Sequence, residues 1–159
     1  MKTEAALRRF EAYLQSRGLR ITQPRREILE LAWSTHSHFT ADQLFLWARE
    51  RDSSASRATV YRTLGLLVEG GFIAALDGGR GQMLYEHILG HHHHDHMICL
   101  DCEKIIEFRS EAIESLQEEA AQQKRFHMVS HTLTLEGYCS NCWRKRETST
   151  EPAESAEEN

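Results

Sequence analysis

The sequence predicts an α+β protein in two parts: an N-terminal winged helix-turn-helix domain and a C-terminal α/β domain with a small antiparallel three-stranded sheet. Three observations predict it. Four stretches with helical apolar spacing are followed by a hairpin signal, short strand-like runs then surround one further helix, and a histidine-rich segment, His91 to His96, lies between the two sets. The expected boundaries are 1–86 for the winged-helix domain, 87–90 for a hinge, 91–146 for the second domain and 147–159 for a tail.

Leu7, Phe10 and Leu14 fall on one helical face that ends near Gly18. Thr22 then has the hydroxyl of an N-cap, with Pro24 in the first turn, where its missing N–H costs nothing. Ile28, Leu29, Leu31 and Ala32 continue that second helix to about Thr35. "TADQ", Thr40 to Gln43, is a capping box opening a third helix with Leu44, Phe45 and Trp47. Ser53, Ser54 and Ser56 form a polar loop, and Ser56 caps "RATVYRTLGLLVEG", whose inner face is Val60, Leu64 and Leu67 and whose end is Gly70–Gly71. "FIAALD" and "QMLYEH" flank "GGRG" and read as the two-stranded wing.

In the second half "MICL" and "KIIEF" are short strands joined across Cys99–Cys102. Ser110 begins a helix with Ile113, Leu116 and Ala120 on one face, running to about Lys124, and the alternation of "MVSHTLTLEGYC" predicts a third strand containing His131. "ETSTEPAESAEEN" is acidic and poor in apolar residues, and is expected to be disordered.

Charge divides with the fold. Residues 1–85 hold 12 Lys/Arg against 9 Asp/Glu, and residues 86–159 hold 7 against 15. A basic half suits a polyanion and an acidic half suits cations, although an excess of three also arises by chance. No apolar run approaches the ~20 residues that span a bilayer, and "MKTEAALRRFEAYLQ" lacks a signal-peptide core, so no membrane partner and a cytoplasmic location are expected.

Four cysteines in a reducing compartment favour metal over disulfides. Cys99-x-x-Cys102 and Cys139-x-x-Cys142 stand 36 residues apart, and each such turn sets two thiolates ~3.5 Å apart at two corners of a tetrahedron. This predicts a closed structural Zn²⁺ site that staples the fold. A redox Cys-x-x-Cys would open a helix after a strand; here a strand is expected after the first pair and charged tail after the second.

The run "HHHHDH" is internal and interrupted by Asp95, unlike a purification tag. In an extended segment alternate side chains oppose one another, so His94 and His96 face one way and His93 and Asp95 the other. One segment could thus serve two metal sites, and nitrogen with carboxylate ligands suits Fe²⁺, Mn²⁺, Co²⁺ or Zn²⁺. The competing reading is a solvated polar loop.

"GLRITQPRREILE", "ATVYRTL", "HHHHDHMICLDCEKIIEF" and "CSNC", in this order, resemble the ferric uptake regulator family over about residues 5–145. The resemblance implies a regulatory metal site of His38, Glu86, His94, His96 and Glu107, drawing ligands from both domains. It implies an additional site of His93, Asp95, Glu114 and His131, and gives the four cysteines to structural zinc. It assigns no role to His36, His87, His91, His92 or His127, which are expected at surface or secondary positions. It also implies a cytoplasmic homodimer, with a tetramer as an alternative, associating through the C-terminal dimerisation domain.

On the recognition helix, Arg57, Ala58, Thr59, Tyr61 and Arg62 lie opposite the buried stripe and would reach the major groove of double-stranded DNA. The resemblance singles out Tyr61 and Arg62 as base readers and Arg20 as a minor-groove contact. Arg57 departs from the small apolar residue often found there in iron-sensing members. The function implied is an Fe²⁺-responsive repressor of iron-uptake genes on a palindromic operator. Peroxide sensors of the family usually carry Asp at the positions of Glu86 and Glu107, and zinc sensors Cys at that of Glu86; manganese-sensing relatives often lack the Cys pairs. Mn²⁺ or Zn²⁺ could still substitute for Fe²⁺. A zinc hydrolase is the reading from another class, but no HExxH or nucleophile motif supports an enzyme.

Overall fold

The computed structural model describes residues 3–78, 81–90 and 93–149. The chain divides into two compact units, Met1–His92 and His93–Asn159.

In the first unit α1 (Thr3–Ser16), α2 (Gln23–Ser34), α3 (Ala41–Glu50) and α4 (Arg57–Glu69) form where caps and apolar spacing place them. Thr22 Oγ1 accepts from the Arg25 N–H at 3.4 Å. At α3 the capping box is complete: Gln43 N–H donates to Thr40 Oγ1 at 3.1 Å and Gln43 Oε1 accepts from the Thr40 N–H at 2.8 Å. Ser56 Oγ accepts from the Thr59 N–H at 3.2 Å to start α4. Gly71, at φ +69°, turns the chain out of α4 in a conformation that a Cβ would strain. Phe10, Leu14, Ile28, Leu29, Phe39, Leu44, Val60, Leu64, Leu67, Phe72 and Ile73 make the core. Phe10 packs edge-on to Phe72 at 5.3 Å, and Arg17, in the turn just after α1, pairs with Glu69 at the end of α4 at 2.7 Å.

The wing is β2 (Ile73–Asp77) antiparallel to β3 (Met83–His87). A third strand, β1 (Phe39–Thr40), pairs with the other edge of β3, Phe39 opposite Tyr85. Two residues carry no readable alternation, so the wing's third strand is a product of tertiary pairing.

The second unit contains β4 (Asp95–Cys99), β5 (Ile105–Phe108), α5 (Glu111–Gln123), β6 (Thr134–Gly137) and α6 (Ser140–Ser149). Its three-stranded sheet has the order β5-β4-β6. The expected all-antiparallel sheet is corrected here: β4 is antiparallel to β5 but parallel to β6, with His96 opposite Thr134 and Cys99 opposite Gly137. β5 returns the chain to the end of the sheet where β4 begins, and the segment through α5 carries it to the far edge, so β6 starts from that same end; alternation within a strand does not encode that direction. The third strand is also shorter than expected, so His131 lies in irregular chain before β6 rather than on a strand.

The expected disordered tail begins too early as well, because α6 carries residues up to Ser149; positions 150–159 lie outside the described residues. "SNCWRKRETS" has no apolar stripe to announce a helix. The buried apolar side chains of this unit are few: Ile98, Cys99 and Cys142 among the described residues. Met97, Ile106, Leu116, Phe126, Val129, Leu135, Tyr138 and Trp143 are exposed, and α5 buries none of its residues. No described helix is long and apolar enough to cross a membrane.

Candidate metal centres and nucleic-acid face

The four cysteines converge. Cys99 ends β4, Cys102 lies in the turn to β5, Cys139 follows β6 and Cys142 sits in the first turn of α6. All four sulfurs lie within 4.8 Å of one another, none is in a disulfide, and Cys102 Sγ is 3.7 Å from Cys139 Sγ. Four ligands ~2.3 Å from a Zn²⁺ would stand about 3.8 Å apart, so the donor set fits that ion. Backbone N–H groups of Cys102 and Cys139 hold the Cys99 thiol down to about 6, the latter donating to Cys99 Sγ at 3.2 Å. Cys139 is lowered, first by the Cys142 backbone. Cys142 is pushed up to about 12 by its hydrogen bond to Cys102 and by burial. The thiols hydrogen-bond to one another, and a metal held there would take the place of their protons.

The second pair does open a helix after a strand, contrary to the expectation of charged tail. That local feature belongs to redox motifs too. What distinguishes this site is that the partner pair lies against it, completing four sulfurs rather than two.

On the α5 side of β4, His93, Asp95 and His131 present ligand atoms within 4.8 Å of one another. Glu114, on the first turn of α5, adjoins them: its Oε1 is 3.5 Å from His93 Nε2 and its Oε2 is 3.2 Å from His131 Nε2. His93 Nε2 is 3.3 Å from Asp95 Oδ1. Asp95 is 1% exposed and neither oxygen has a hydrogen-bond partner. A buried carboxylate in that condition demands a cation or a proton. The four residues expected to form the additional site are therefore brought together, His131 by a loop.

The five residues expected at the regulatory site fall into two sets. In the first unit His38 Nε2 is 3.1 Å from Glu86 Oε2, where β3 runs beside the loop preceding β1. In the second, His94 Nε2 is 3.8 Å from Glu107 Oε2, His94 and His96 have ring centroids 5.0 Å apart, and Glu107 on β5 is directly opposite His96 on β4. His87, expected at a surface or secondary position, is buried: its Nδ1 is 3.1 Å from the Thr35 carbonyl oxygen and its ring stacks on Trp33 at 5.0 Å. The stacking partner lies 54 positions away in the chain, so nothing near His87 signalled it.

On α4, Tyr61 is 53% exposed, and Arg62 beside it is also exposed. Thr59 is half-buried and tied into the cap, its hydroxyl 2.9 Å from Ser56 Oγ. Arg57 donates to Asp42 on α3, and its guanidinium carbon lies 4.6 Å over the Phe45 ring. Arg20 is exposed, and its carbonyl accepts from Arg25 Nη1 at 2.6 Å. Sequence reasoning missed Arg146, which contacts Asp101 within the first cysteine pair; its position one turn after Cys142 was the available signal.

Residues 16–136 match the model of the ferric uptake regulator family. Over 130 residues the chain is 43% identical to the ferric uptake regulation protein of Brucella abortus biovar 1 (strain 9-941), covering 82% of this chain and 90% of that one. Its fold matches the Helicobacter pylori ferric uptake regulator, described with three functional metal-binding sites, at a TM-score of 0.79 and 29% identity over 90% of this chain and 95% of the other. It also matches a Francisella tularensis ferric uptake regulator determined with iron, at a TM-score of 0.70 and 35% identity over 79% and 96% of the two chains.

Proposed function

Because the chain belongs to the ferric uptake regulator family, whose members are metal-binding, DNA-binding regulators, we propose that it represses iron-uptake genes when Fe²⁺ is plentiful, as a homodimer on a palindromic operator. The observation that carries this reading is the distribution of donors: a His–carboxylate pair, His38–Glu86, in the winged-helix unit, and a second His–carboxylate set, His94–His96–Glu107, in the sheet unit. The regulatory Fe²⁺ would supply the charge that three imidazoles and two carboxylates can satisfy together. His38 and Glu86 then report the ion to the unit bearing α4, while His94, His96 and Glu107 anchor it to the unit that dimerises. Tyr61 and Arg62, with Thr59, present the recognition helix to base edges and Arg20 reaches the minor groove; Arg57 contributes after leaving Asp42.

The switch needs the five ligands to favour the operator-competent conformation over the others, and nothing more. A tenfold preference is worth ~1.4 kcal/mol per site, and two sites in a dimer multiply it. Support for iron comes from the relatives' names, the Francisella tularensis structure determined with iron, and Glu at both carboxylate positions. Cys99, Cys102, Cys139 and Cys142 would hold Zn²⁺ permanently. His93, Asp95, Glu114 and His131 would hold a further divalent ion inside the second unit.

Gel-shift titration on a palindromic, A/T-rich operator with separately buffered Fe²⁺, Mn²⁺ and Zn²⁺, followed by a peroxide challenge, tests the reading. Retention that appears with Fe²⁺ at micromolar levels or below and survives peroxide supports it. Retention independent of metal rejects the switch, and loss on peroxide treatment assigns the chain to peroxide sensing.

A further inference from the structure

Arg146 is one turn beyond Cys142 on the same face of α6. Its Nε donates to Asp101 Oδ2 at 2.8 Å and its Nη2 to Asp101 Oδ1 at 3.0 Å, a two-pronged pairing that fixes the guanidinium plane. Asp101 lies between Cys99 and Cys102. The same guanidinium carbon stands 4.0 Å over the ring of Tyr138, the residue before Cys139. One side chain thus touches the segments that carry both cysteine pairs, from the helix that carries the fourth ligand.

We propose that Arg146, through Asp101 and Tyr138, is a positioning residue that braces the four-cysteine site shut and slows loss of its zinc. The inference rests on the zinc reading of those cysteines.

Exposed ion pairs usually contribute little to stability, and this pair is partly exposed. Two features set it apart. It joins positions 45 residues apart, in a unit whose buried apolar side chains are few, and it adds a tie at the α6 end to the β4–β6 ladder that already sets Cys99 opposite Gly137. It is also planar and stacked, a geometry Lys cannot reproduce. A metal held by the four cysteines would be released as one of those ligands moves away. Cys142 is carried by α6, and lifting α6 requires the Asp101 fork to open and Arg146 to leave the Tyr138 face. The residue acts on the exit path of the metal without contacting it.

The test uses the full-length, zinc-loaded protein and follows transfer of zinc to an excess of a chromophoric chelator. Wild type is compared with Arg146→Ala, Arg146→Lys, Asp101→Asn, the Asp101→Asn/Arg146→Ala double variant and the swap Asp101→Arg/Arg146→Asp. Cys99→Ser serves as control. Expected is zinc loss about tenfold faster or more in Arg146→Ala and in Asp101→Asn, in line with other residues that support metal ligands. The double variant is no worse than the singles, Lys is intermediate, and the swap slows loss again. Release rates within about twofold of wild type, or additive effects in the double variant, overturn the brace while leaving the zinc reading intact. A wild-type protein without one zinc per chain, or one that keeps it after Cys99→Ser, overturns the zinc reading itself and the brace with it.

Discussion

Asp95 is the charge hardest to reconcile with its surroundings, since its buried carboxylate makes no hydrogen bond among the described residues and has only the imidazoles of His93 and His131 among its described neighbours in the site. Asp95→Asn removes a desolvated anion, so the metal-free protein should become more stable, by on the order of 1 kcal/mol. The same change should erase the rise in melting temperature that added Mn²⁺ or Zn²⁺ gives the wild type; paired melts in chelator and in metal check both signs. His96→Ala should abolish metal-dependent operator binding and leave the dimer intact by sedimentation, because His96 faces away from the Asp95 side. Arg62→Ala should weaken operator binding by ~1–3 kcal/mol, with a smaller loss on random DNA if it reads a base. Arg57→Ala should cost less, because Arg57 is already engaged by Asp42 and Phe45 and must leave them to reach DNA.

At the scale of elements, the two cysteine turns behave as one. Cys99, held at about 6 by backbone N–H groups, favours the folded turn fully above the ordinary thiol range and progressively less as pH falls through about 6. Cys142, raised to about 12, works in the opposite sense: it favours the metal-free fold below the ordinary range and loses that contribution as pH rises through about 12. The two thiols thus differ in what a bound metal would require: Cys142 would have to give up a proton, whereas backbone N–H groups already favour the Cys99 thiolate. Zinc content after dialysis across pH 8 to 5 should fall as pH falls, with proton uptake on release, because the thiols bind protons in place of the metal. Cys99→Ser should release the ion and lower the melting temperature of the second unit; an unchanged melt would contradict a structural role.

For the whole molecule, the two units differ in how they are held together. The first has a continuous apolar core from α1 to β2. Among the described residues the second buries few apolar side chains and displays Val129 at 97% and Phe126 at 66% exposure, with Leu116, Ile106 and Leu135 also outward. On the proposed reading, a metal and a second copy of the chain would make up for so small a core and bury those side chains. Ile106→Asp or Leu135→Asp should shift the protein toward monomer in sedimentation and weaken operator binding at least tenfold, through loss of paired half-site contacts, while the first unit keeps its own fold.

The sequence by itself determined the elements whose signals are local. The Thr22, Thr40 and Ser56 caps, the apolar stripes of α1 to α4, the β2–β3 hairpin, the Cys-x-x-Cys pairs and the two-sided His93–His96 segment each write their geometry within a few residues. Chain-long spacing and resemblance supplied the remaining ligand partners. Tertiary structure alone decided that β6 runs parallel to β4, that β1 completes the wing, that α6 replaces the first residues of the tail, that His131 approaches Glu114 from a loop, and that Arg57 and Arg146 find Asp42 and Asp101. These depend on which distant segments come to lie beside one another, and a side chain's partner across 45 residues leaves no periodicity or cap in the chain around it.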